Sequence, residues 1–178
     1  MGMTGILLAL SDKRRAKLEK EPGLLADVLD ARREERVPGL LDLGKAWHAL
    51  DVMLGGESDD VLGDAVLARS GTKFGPSMAY GPGRLLSAGR VAMICDALAA
   101  LPDELAFERY ERLRGQDVHG RYGPKDEQGP AEYAEELAAL EDDEERDEKE
   151  ELARYFEALR EIYREAKERG EAVLSIVT

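Results

Sequence analysis

Two short apolar runs, MTGILLAL over Met3–Leu10 and AVLSIV over Ala172–Val177, constrain this chain more than any other feature. The first ends at Ser11 and Asp12, residues that open helices, so it reads as a buried strand entering a helix. The second is rich in β-branched residues and follows Gly170, a helix stop, so it reads as a further strand. Backbone amides and carbonyls of a buried strand need partners, and the two runs therefore predict one shared sheet. Helical periodicity dominates between them. The expected fold class is α+β, a mainly helical domain around a small sheet that includes both terminal strands. The 178 residues suit one domain spanning 1–178. A domain of about 150 residues already buries roughly 70% of its unfolded surface, so no staple is required.

Ser11 caps the first expected helix, and Leu24, Leu25, Val28 and Leu29 carry the 3.6-residue period after Pro22-Gly23. Leu43, Ala46, Trp47, Leu50 and Leu54 repeat it before Gly55-Gly56, and VLGDAVLA over residues 61–68 reads as an ordinary helix. The glycines and prolines of GTKFGPSMAYGPG, Gly71–Gly83, predict irregular structure, followed by a short extended piece from Arg84 to Leu86. Ser87 then caps a helix whose apolar stripe is Val91, Ile94, Cys95, Leu98 and Leu101. Pro102-Asp103 opens another helix through Leu113, stopped by Gly115, and Asp117–Pro130 predicts an exposed loop. Leu152, Tyr155, Phe156, Leu159, Ile162, Tyr163 and Ala166 give the strongest helical period in the chain.

The formal charge is −13, and residues 131–178 carry net −10 of it, with 17 acids against 7 bases. Nucleic-acid affinity rests on clustered Lys and Arg, so a direct DNA or RNA binder is not expected. The densest stretch, EDDEERDEKEE from Glu141 to Glu151, contains no apolar residue. It is either a solvated stretch of helix or a flexible loop between two helices. The preferred functional expectation is a non-catalytic protein whose acidic surface, Glu141, Asp142, Asp143, Glu144 and Glu145, meets a basic protein; an immunity-like role is one specific form of it. A single cysteine, Cys95, forbids an internal disulfide and fits a reducing compartment, so the cytoplasm is expected. No run approaches a membrane span, and neither a secretory nor a myristoylation signal is met.

Gly75–Gly81 has the glycine spacing of a phosphate-binding loop, but Pro82 and Gly83 stand where the lysine belongs. Gly81 and Gly83 begin a dinucleotide fingerprint that fails at Leu86, and no serine has the flanks of a nucleophile elbow. Asp59, Asp60 and Asp64 lack the calcium-loop pattern, and the only histidines, His48 and His119, have no ligand-spaced neighbours. No metal and no cofactor are expected. His48 stands three residues before Asp51, where one helical turn could bring the carboxylate toward the imidazole. The alternative reading is a small hydrolase or lyase in which His48, Tyr80, Arg84, His119 and Tyr122 converge on a pocket between loops 71–84 and 117–130. Spatial convergence decides between the two readings.

MGMTGILLALS, LGKAWHALDVMLGG, YGPGRLLSAGRVAMICDALAAL and YFEALREIYREAKERGEAVLSIV together resemble the YfbM-like family of bacterial proteins, a domain of unknown function. The resemblance covers most of the chain. Trp47-His48 with Leu54-Gly55, the Arg84–Ser87 entry to a helix, and the closing aromatic helix with its strand are its most specific parts. It implies one α+β domain in a bacterial cytoplasm, with no established activity, ligand or catalytic residue. The chain departs from it at VHGRYGPKDEQGP, where family members often carry Ile-Tyr-Pro with a nearby Trp, and in the Glu141–Glu151 run, a local elaboration.

Overall fold

A computed structural model describes residues 3–31, 37–55, 60–78, 81–113 and 134–178. Its sheet runs in the order β2-β1-β5-β4-β3, with every neighbouring pair antiparallel. The strands are β1 (Gly5–Leu10), β2 (Leu40–Gly44), β3 (Thr72–Met78), β4 (Gly81–Leu86) and β5 (Ala172–Val177). The expected pairing of the two apolar runs holds: β1 and β5 lie side by side, from Gly5 opposite Val177 to Leu10 opposite Ala172.

Both faces of these two strands are covered, which is why their sequences are continuously apolar instead of alternating. On one face Ile6, Leu8, Leu10, Leu174 and Ile176 pack with Leu18, Leu25 and Leu29. Leu18 belongs to α1 (Asp12–Lys20), and Leu25 and Leu29 to α2 (Gly23–Ala31). On the other face Leu7, Ala9 and Val173 join the larger core, built with α3 (Trp47–Met53), α4 (Ala88–Ala100), α5 (Asp103–Leu113) and α6 (Ala134–Arg169). Among the described residues the result is three layers, with two helices beneath the sheet and four above. Fully burying each Leu or Ile contributes about 1.5–3 kcal/mol, and six successive buried residues make β1 the centre of both cores.

Local chemistry sets the helix starts. Ser11 accepts from the amide of Arg14 and Ser87 from that of Arg90, so each fills an otherwise unpaired donor of a first helical turn. Gly170 closes α6 in the left-handed region at φ 65°, while the Glu171 amide reaches back to the Ala166 carbonyl at 2.8 Å.

Three expectations need correction. The described part of Gly71–Gly83 is not irregular: Thr72–Met78 form β3 and the residues from Gly81 open β4, pairing Thr72 with Leu85 through Met78 with Gly81. Leu43 does not belong to the Trp47 helix but to β2, a short edge strand. Residues 61–68 form a single 3₁₀ turn, Val61–Asp64, followed by turns, because their carbonyls are tied to distant side chains. The acidic run Glu141–Glu151 resolves as helix, continuous with α6.

Candidate functional site

Asp51 and Asp64 are acids inside otherwise apolar stretches, and both are buried. A buried carboxylate must be paired, and each has recruited an arginine. Arg69 grips Asp51 with both ends of its fork, Nη1 to Oδ1 at 2.9 Å and Nη2 to Oδ2 at 2.6 Å, while Nη1 also donates to the Gly63 carbonyl at 2.8 Å. Asp64 accepts the amide of Ser70 at 2.8 Å, the Ser70 hydroxyl, and Arg90 Nε at 2.7 Å. Burial pushes the Asp64 carboxyl up, but the Ser70 hydroxyl and amide and the Arg90 guanidinium outweigh it and hold the group below the usual carboxylate range.

These pairs fold the 60–71 segment onto the helical layer. The Tyr163 hydroxyl donates to the Ala65 carbonyl at 2.8 Å and Ser175 Oγ to the Val66 carbonyl at 2.6 Å, so α6 and β5 both hold it. Burial pushes the Tyr163 hydroxyl far up, so it stays a donor. Ala68, fully buried, sits at φ 48°, a conformation that costs an L-residue of order 1–3 kcal/mol and persists where surrounding contacts over-determine it.

Of the five residues proposed to converge, two are described. His48 lies half-buried on α3, its ring 5.2 Å from that of Trp47 and tilted by 48°. The Asp51 carboxylate expected to turn toward it is held by Arg69 instead. Arg84 projects from β4, and its Nη1 donates to the carbonyls of Arg69 at 3.1 Å and Gly71 at 3.3 Å. Arg84 thus joins the arginine-carboxylate network through a backbone carbonyl. Tyr80, His119 and Tyr122 lie outside the described residues, as does the 117–130 segment. The expected 71–84 wall is a paired hairpin, not a loop. The side chains of Glu141, Asp142, Asp143, Glu144 and Glu145 also lie outside the described residues; their backbone is helical.

The sequence pointed Asp51 toward His48 and gave Asp64 no ligand pattern; their pairing with Arg69, Ser70 and Arg90 is what the fold adds. The legible signal was an aspartate set inside an apolar run, Asp51 between Leu50 and Val52 and Asp64 between Leu62 and Ala65.

A cleft of about 410 Å³ opens beside this network, between α1, the 70–72 turn and the junction of β4 with α4. A second, of about 450 Å³, runs between the edge strand β2 and α6, where Leu40, Ala158 and Ile162 meet a rim containing Glu161 and Glu165. Among the described residues no group of three or more His, Cys, Asp or Glu is arranged to hold a metal ion, and no helix is long and apolar enough to cross a membrane.

Residues 1–176 match the profile of a family described as "Domain of unknown function (DUF1877)". The crystal structure of a protein of unknown function, YfbM from Escherichia coli, shares the fold with a TM-score of 0.61 at 18% identity, over 98% of this chain and 99% of that one. No curated protein matches the chain.

Proposed function

The chain belongs to the family described as Domain of unknown function (DUF1877), and from that premise we propose that it is a non-catalytic binding protein, a single unit over 1–178, whose acidic final helix meets a basic protein partner in the cytoplasm. The observation that carries this reading is the continuity of Glu141–Glu151 with α6. Nine acids and two bases fall on three helical turns that run directly into the helix anchoring both β5 and the 60–71 segment. At 1.5 Å per residue the run spans about 16 Å of one rigid element, so its charges move with the core. Preorganised charge of this density accelerates encounter with an opposite charge. An immunity-like pairing with a basic toxin is one form such a partner takes.

The test neutralises Glu141, Asp142, Asp143, Glu144 and Glu145 together. A basic partner captured by the native chain at low salt should be released as salt rises, since exposed charges are screened beyond roughly 8 Å at physiological ionic strength. The neutralised chain should associate several-fold more slowly with unchanged melting temperature. Equal capture by both forms refutes the reading.

A further inference from the structure

The cleft beside the Asp64–Arg90 pair has a wall chemistry opposite to that of the whole molecule. In a chain of charge −13, the residues lining it include two arginines, Arg15 from α1 and Arg90 from α4, and the hydroxyls of Ser70, Thr72 and Ser87, with no carboxylate among them. We infer that this cleft binds an oxyanion of the phosphate class, as a free ion or as the head of a small phosphate ester.

The two arginines are presented differently. Arg90 is held from behind: Asp64 takes its Nε at 2.7 Å and its Nη2 at 2.6 Å, both on Oδ2, so the guanidinium is oriented while no described residue takes Nη1. The two oxygens of Asp64 are themselves committed to Ser70 and Arg90. Arg15 is held loosely, 3.5 Å from Asp12 and 3.8 Å from Glu19, and both of those acids are more than half exposed. Its Nε is shielded from water and has no hydrogen-bond acceptor among the described residues. A shielded donor without an acceptor favours any group that satisfies it. A planar guanidinium offers paired donors to tetrahedral phosphate oxygens, and the two arginines with the Thr72 and Ser87 hydroxyls supply the donors, the Ser70 proton being committed to Asp64.

The size sets the class further. A cleft of about 410 Å³ falls within the roughly 300–1,000 Å³ of small-molecule sites and exceeds what a bare phosphate fills. Leu85 and Leu86 supply an apolar wall against which the organic part of an ester would lie. This site is independent of the acidic surface and of a protein partner.

Isothermal titration calorimetry of the full chain with inorganic phosphate and with phenyl phosphate, at low salt, tests it. One-site binding on the order of millimolar is expected, weakening as salt rises. Arg15→Gln should weaken it about tenfold, and Glu19→Gln, which removes a competing acid, should strengthen it two- to threefold. Tighter binding of phenyl phosphate identifies an ester, and equal binding identifies the free ion; both support the site. No saturable heat with either probe, or affinity unchanged in Arg15→Gln, overturns it. Arg15 is 40% exposed, so its replacement leaves the fold intact and the result is readable even if an Arg90 variant does not fold.

Discussion

Trp47 lies directly over Gly5: a Cβ on that glycine would stand 2.3 Å from the Trp47 Cβ and 2.7 Å from its Cγ. The strand is bare at that point because the ring-bearing helix touches its backbone. The indole nitrogen completes the contact by donating to the Met3 carbonyl at 3.4 Å.

Gly5→Ala should therefore destabilise by about 1–3 kcal/mol through overpacking, and Trp47→Ala by about 3–5 kcal/mol through cavity formation. Alanine at 47 keeps the clashing Cβ, so the coupling is read with Trp47→Gly, where the extra methyl finds room: the Gly5→Ala/Trp47→Gly double variant should be clearly more stable than the sum of its singles implies. Urea titrations of the four proteins measure the coupling; strict additivity would show that the clash is relieved elsewhere. His48→Gln, at a half-buried neighbour, should cost much less than Trp47→Ala.

A chain ending at Gly170 loses β5, which stands between β1 and β4. Such a chain should show no cooperative thermal transition and should aggregate, since two strand edges and both cores open at once. An unchanged melting temperature would mean that the sheet does not depend on its central strand.

Asp64 carries a pH dependence whose sign is fixed by its lowered folded value. Its unfolded value is near 3.8, so its contribution is complete above that pH and is lost as pH falls through the lower folded value. Asp64→Asn should cost about 1–3 kcal/mol at neutral pH, because Ser70 and Arg90 keep only part of their acceptor. Between about pH 4 and pH 2 the variant should lose stability less steeply than the native protein. Parallel acid titration curves would show that Asp64 is not ionised in the fold.

Cys95 is half-buried on α4, and burial pushes its thiol up despite the Lys167 ammonium nearby. Alkylation at pH 7.5 should be slower than that of a free thiol and should speed up on unfolding in urea. Reaction at the free-thiol rate in the native state would contradict this environment.

What could be seen in the sequence was what neighbouring residues decide. Ser11 and Ser87 cap the helices that follow them, and the unbroken apolar character of β1 and β5 follows from burial on both faces. The hairpin β3–β4 was hidden by Pro76 and Pro82, residues that break central strands. Pro76 sits where the β3 register shifts between Phe74 and Ser77, on an edge strand, with Gly75 at φ 75°. Pro82 lies on the stretch of β4 that pairs only with β3, since β5 reaches no further than Arg84. The Asp51–Arg69 and Asp64–Arg90 pairs were hidden because partners 18 and 26 residues apart meet only once the 60–71 segment is folded. Of the five residues read as converging, only His48 and Arg84 are described, and Tyr80, His119 and Tyr122 lie outside the described residues.

The placement of β5 sets a schedule for folding. During synthesis β1 emerges early, yet the neighbour that completes its pairing is made more than 160 residues later. At about 5–20 residues per second this leaves roughly 8–30 s in which the strand waits with one edge unpaired. Long-range pairing of this kind also slows refolding of the finished chain, because closing so large a loop precedes any reward from the contact. The same strand that gives the sheet its centre therefore makes the nascent chain a client for whatever shields apolar edges in the cell.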